Sequence, residues 1–140
     1  MNRTLLLRIC LIVIGIAQLG FGAAFAFAPA QFGAMLGLEP APAWAYWMLC
    51  MFSARAAGFA YGMFIAVSDP ERHIHWIQAM IGVQALDWLA TVAYLLNGSL
   101  TLAQVSTASY LPLIFIGALV AFYPRQATSA VKAQTSQDQP

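Results

Sequence analysis

Charge is what this 140-residue chain has least of: Asp, Glu, Lys and Arg together make up 8% of it, against 61% hydrophobic residues. A soluble domain carries roughly 25% charge. With a mean hydropathy of +0.74, the balance excludes an ordinary soluble fold and points to a membrane protein. The net charge is +1, and no basic run or phosphate-cradling glycine loop is present, so nucleic acid is not an expected partner. Dinucleotide and Walker-type fingerprints are missing as well. No Ser/His/Asp, Cys/His or paired-carboxylate arrangement is recognisable, so the sequence names no catalytic residue and no cofactor. Cysteine is scarce too. Cys10 and Cys50 fall in opposite leaflets of the expected topology and are read as small apolar residues, not as a disulfide.

What is present is a set of long apolar runs. A membrane-crossing helix takes about 20 residues, and spans are expected at about 5–28, 43–67, 74–97 and 103–123. The fold class expected is therefore all-α: an integral membrane bundle of four transmembrane helices forming one domain, 1–124. Residues 125–140, rich in Gln, Ser, Thr and Ala, are expected to form a disordered tail. The first run has a signal-like flavour, since Ala26, Phe27 and Ala28 offer a small-x-small pattern. Its apolar core, however, exceeds the 7 to 15 residues of a typical signal, and Pro29 is a poor residue just after a cut. A retained span is expected. The link from Pro29 to Pro42 is mostly apolar and flanked by prolines, which suits a segment lying in the membrane interface. Trp44, Tyr46, Trp47 and Trp76 supply the rings expected at headgroup level.

The cations set the orientation. Arg3, Arg8, Arg72, Arg125 and Lys132 share one side of this topology, while the 1–2 and 3–4 links hold no Lys or Arg. The positive-inside rule then places both termini in the cytoplasm.

Two charges break the apolar runs. Arg55 and Asp87 each lie 16 residues from Glu71, in the turn between the second and third spans. At about 1.5 Å per residue both come roughly 24 Å from that turn, so opposite charges reach the same depth on neighbouring helices. An intramembrane ion pair is expected. Gln18 and Gln84 arrive at similar depth, and Gln84, Asp87 and Thr91 share one helix face, a polar stripe expected to turn toward the bundle and away from lipid. A lone charge at midspan costs about 2.5 to 3.5 kcal/mol on insertion scales. Two readings follow for the cluster Arg55, Asp87, Gln84 and Gln18: a polar site for a ligand, ion or proton, or a latch holding the second and third spans in register. Ala54, Gly58 and Gly62, at four-residue spacing, form a small-residue ridge suited to close helix packing. His73 and His75 lie two apart, not the four that helical metal sites favour, and they read as a solvated turn with no metal.

The outline resembles the small four-helix inner-membrane proteins of bacteria, including DoxX-like families. The residues that carry it are Arg8 and Gly15 in the first span, Pro29 after it, and Arg55, Gly58 and Gly62 in the second. Some DoxX-like proteins are linked to quinone-coupled thiosulfate oxidation. No catalytic residue carries across, so the resemblance implies the four-helix architecture and a bacterial inner-membrane location only. The function expected is that of a non-catalytic accessory or interaction subunit, partnered by the bilayer and by a second copy or a larger membrane complex. The alternative is binding or transport of a lipid, quinone or ion through the midplane polar cluster.

Overall fold

The computed structural model describes residues 2–124, which form five helices and, among the described residues, no strand. They are α1 (Arg3–Phe27), α2 (Pro29–Met35), α3 (Ala43–Ser68), α4 (Ile74–Leu96) and α5 (Ser106–Ala121). The tail of 125–140, with Arg125 and Lys132, lies outside the described residues.

Helices α1, α3 and α4 are long and apolar enough to cross a membrane. Their 25, 26 and 23 residues correspond to about 35 to 39 Å, against a hydrocarbon core of about 30 Å. Helix α5 is apolar but shorter, at 16 residues or about 24 Å.

Local chemistry sets the boundaries. The Asn2 side chain accepts from the Thr4 amide at the start of α1, satisfying one of the donors every helix N-terminus leaves open. Pro29 opens α2 at its first position, where its missing N–H costs nothing and its fixed φ suits the first turn. Two helices end on left-handed glycines, Gly37 (φ +69°) after α2 and Gly98 (φ +73°) after α4. In each case the backbone N–H groups of the glycine and the next residue fold back onto the last turn: Gly37 to Ala34 and Leu38 to Gly33, then Gly98 to Leu95 and Ser99 to Tyr94. This pairing satisfies the orphan carbonyls and needs a residue that tolerates positive φ.

The helices run up and down. Arg8 donates to the Ser68 carbonyl (3.1 Å) and Arg3 to the Ala121 carbonyl (2.7 Å), so the start of α1 meets the ends of α3 and α5. Both arginines sit where helix carbonyls lack partners and the helix dipole is negative. Arg72 lies in the α3–α4 turn at this same end. At the other end Gln104 donates to the Gly37 carbonyl at 3.3 Å, tying the α4–α5 link to the α2–α3 link. Arg8→Ala is expected to lower stability by about 1 kcal/mol, the usual net worth of an intramolecular hydrogen bond, with Arg8→Lys recovering part of it in thermal unfolding.

Packing is uneven. Helix α1 lies along α3 and α4 along α5, while the α3–α4 and α1–α5 contacts are much thinner. The central cluster joins both pairs through Leu7, Leu11, Ile14, Met63, Ala66, Ile77, Met80, Phe115 and Leu119. In lipid such a core holds by close van der Waals fit, because water is not there to drive it. The α1–α3 seam uses Ser53, Ala56 and Ala60, all buried. A Cβ at Gly22 would stand 3.3 Å from the Ala56 Cβ.

The ridge read from the sequence is thus used differently. Ala54 and Gly58 are exposed, and a Cβ at Gly58 would meet nothing within 4 Å. Only Gly62 is buried, and what fills the space above it is the Trp76 ring of α4. The packing stripe is rotated because the buried positions 53, 56 and 60 follow α1, the principal neighbour of α3.

Candidate functional site

Arg55 and Asp87 meet as their spacing predicts: Arg55 Nη2 donates to Asp87 Oδ1 at 3.2 Å and to Oδ2 at 3.5 Å. The guanidinium also lies over the Phe52 ring, 4.4 Å from its centre, a favourable cation–π placement. The contact runs through one nitrogen, so the fork-to-fork geometry of the strongest Arg–carboxylate pairs is not formed. The Thr91 hydroxyl donates to the backbone carbonyl of Asp87 and leaves the carboxylate alone.

The pair is not enclosed. The side chains of Arg55 and Asp87 are 45% and 41% exposed, although the sequence reading turns the polar stripe toward the bundle interior. The thin α3–α4 contact is the reason. Near the turn Gly62 admits Trp76, which also packs edge-on against Phe59. Further along, the pair bridges a seam that apolar side chains leave open.

Gln84 does turn inward and is only 6% exposed. Its amide nitrogen lies 3.5 Å from the Met80 sulfur, and that of Gln18 on α1 lies 3.7 Å from the same sulfur. Met80 itself is fully buried. Two amides from two helices therefore converge on one thioether, a weak acceptor.

Above them lies a cavity of about 290 Å³, of a size that takes small ligands. Gln18, Gln84 and Asp87 line it beside Phe21, Phe25 and Phe52, with Phe32 of α2 and Leu38, and with Gln104, Val105, Thr107, Ala108, Leu111, Pro112 and Phe115 from the α4–α5 link and α5. Arg55 is not among the lining residues. The rings are organised: Phe25 meets Phe32 and Phe52 edge-on, with centres 5.1 and 5.5 Å apart, in the geometry that aromatic quadrupoles favour. Opposite, Trp88 donates its indole N–H to the Ser109 carbonyl at 3.0 Å and anchors α5. Pro112, inside α5, leaves the Ala108 carbonyl without its usual helical donor.

The phenylalanine wall was the part that sequence reasoning missed. A signal existed in the four-residue step from Phe21 to Phe25 and the apolar content of the 29–42 link, but α2 had to fold back before these rings met.

Elsewhere the chemistry is spare. His73 Nδ1 pairs with the Asp69 carbonyl and His75 Nδ1 with the Gln78 side chain. Among the described residues no three His, Cys, Asp or Glu side chains converge as a metal site would need. Cys10 and Cys50 are both free thiols. Comparison with protein-family models, curated proteins and solved structures finds no match to this chain.

Proposed function

We propose that this chain is a membrane protein that holds a small, mostly apolar molecule in the cavity between its two helix pairs. The observation carrying this reading is the cavity itself: about 290 Å³ lined mostly by phenylalanine and aliphatic side chains, with five polar side chains among them, Gln18, Gln84, Asp87, Gln104 and Thr107. Small-molecule sites have this make-up, an apolar lining with a few convergent polar groups. In the same reading α5 and its flanking turns make a fourth crossing, and the bundle spans a bacterial inner membrane with both termini cytoplasmic. Support comes from Arg3, Arg8 and Arg72 at one end of the described bundle and from the positive-inside rule.

The test is saturable binding of tritiated 2-ethylnaphthalene to the full chain in lipid nanodiscs. Ala108 is exposed yet lines the cavity, so Ala108→Trp fills the space without forcing the core. That variant is expected to fold with an unchanged melting temperature and to lose at least tenfold in affinity, and Val105→Trp is expected to do the same. Equal binding by wild type and both variants, or no saturable binding at all, contradicts the reading.

The half-exposed Arg55–Asp87 pair favours a second reading, an accessory subunit whose partner covers that seam. Trp47, Met51, Ala54, Gly58 and Tyr61, all exposed, offer the adjoining helix face. A chain that runs as a lone monomer in mild detergent and retains no partner from native membranes removes this second reading.

A further inference from the structure

We infer that the cavity selects a neutral molecule carrying an oxygen acceptor, a carbonyl or ether-like head, seated on the amides of Gln18 and Gln84. This deepens the binding reading above and rests on it. Three observations carry it.

The first is the state of the two amides. Gln84 is more than nine-tenths buried and lines the cavity, yet its nitrogen has only the Met80 sulfur at 3.5 Å for a partner. Gln18 lines the same cavity and reaches the same sulfur at 3.7 Å. A buried polar group ordinarily finds an oxygen or nitrogen partner. Met80 itself is fully buried and does not line the cavity, so the two amides, turned from the thioether toward the space they line, would find in a ligand oxygen a stronger acceptor than the sulfur.

The second is charge. Asp87 lines the cavity and no Lys or Arg does. An anionic head, such as a carboxylate or phosphate, would sit beside that carboxylate, and the nearest cation, Arg55, is outside the lining and already paired with Asp87. For a cationic head the competitor is Arg55, already 3.2 Å from Asp87. A neutral head meets neither obstacle.

The third is the wall. Phe21, Phe25, Phe32 and Phe52 crowd one side of the space, which gives a flat ring system faces and edges to pack against. The ligand class is accordingly an uncharged ring compound with at least one exposed oxygen acceptor.

The experiment uses three tritiated probes of one ring system on the full chain in nanodiscs, each corrected for partition into empty discs. 2-Acetylnaphthalene carries the carbonyl, 2-ethylnaphthalene is its apolar counterpart, and 2-naphthoate is the anion. Wild type is expected to bind the acetyl compound about tenfold tighter than the ethyl compound, and the anion weakest of the three. Gln84→Leu is expected to cut the acetyl preference to about threefold, and Gln84→Leu with Gln18→Leu to abolish it while ethyl binding holds. Gln18→Leu alone serves where the buried change prevents folding. If acetyl and ethyl compounds bind wild type equally, and Ala108→Trp still blocks both, the head-group inference falls and the cavity reading stands. Tighter binding of the anion overturns the neutral-head assignment. Should no probe bind saturably, both fall together.

Discussion

Asp87→Ala is expected to cost about 3 kcal/mol of stability. Arg55 stands at the thirteenth position of the 26-residue α3, too far from either end for its side chain to reach the headgroups. With Asp87 gone, the guanidinium keeps only the Phe52 ring at 4.4 Å. A lone charge at the centre of a crossing helix costs about 2.5 to 3.5 kcal/mol on insertion scales. Arg55→Ala should also destabilise, since it strands the Asp87 carboxylate on α4 without the guanidinium it pairs with. The exchange of Arg55→Asp with Asp87→Arg should recover most of the loss but not all, since the swap abandons the contact with Phe52, itself worth about 0.5 to 1 kcal/mol at an exposed site. Equilibrium unfolding in mild detergent or bicelles checks all three. Should the single variants unfold like wild type, the pair is not holding the bundle, and its role lies with whatever covers the seam.

The second large effect is expected at Gly62. A Cβ there collides with the ring of Trp76, and that ring is already packed against Phe59, so it has little room to give. Overpacking a core position costs typically about 1 to 3 kcal/mol, and Gly62→Ala is placed near 2 kcal/mol, with Gly62→Val worse. Gly58→Ala is the internal control. Its Cβ meets nothing, and the change removes glycine from a helix interior, so it should be neutral or stabilising by up to about 1 kcal/mol. Melting temperatures of the two variants in the same detergent decide it. Equal losses at both positions would mean that Gly58 is packed against something outside this chain.

The contrast between these glycines shows where the sequence speaks plainly and where it does not. The long helices were legible to within a few residues, because apolar length, Trp and Tyr at the ends and the polar turn at 68–73 bound them from both sides. Residues 43–67 and 74–97 were expected as spans, and α3 and α4 occupy Ala43–Ser68 and Ile74–Leu96. The ion pair was legible by counting from the turn, since one antiparallel hairpin fixes depth. Facing was not legible. Ala54, Gly58 and Gly62 form a tidy stripe, but which stripe of α3 meets α1 depends on how four helices share one core, and Ser53, Ala56 and Ala60 took that place. Exposure of the ion pair follows from the same fact, because the strong contacts join α1 to α3 and α4 to α5 and leave the α3–α4 seam thin. The cavity lay furthest from view. It needs α2, a seven-residue helix in what reads as a link, to bring Phe32 onto Phe25 and add Leu38 to the lining. It also needs Gln104 holding the two distal links together through the Gly37 carbonyl.

These elements give the cavity a structural logic. Two helix pairs meet along thin contacts, the central cluster around Met80 fills the space between them at one level, and Gln104 ties the distal links together at the other end. What lies between is mostly apolar, with Gln18, Gln84 and Asp87, and also Gln104 and Thr107, as its polar lining.

The most direct measurement is therefore one of place. The wild-type chain in nanodiscs is photolabelled with a naphthyl diazirine, whose carbene inserts where the probe sits, and the labelled peptides are sequenced by mass spectrometry with and without excess 2-acetylnaphthalene. The cavity account predicts competable insertion at Phe21, Phe25 and Phe32 and across Val105 to Phe115, with the exposed Leu86 and Leu89 labelled only at background and without competition. Labelling at those cavity residues that the competitor leaves unchanged would contradict it.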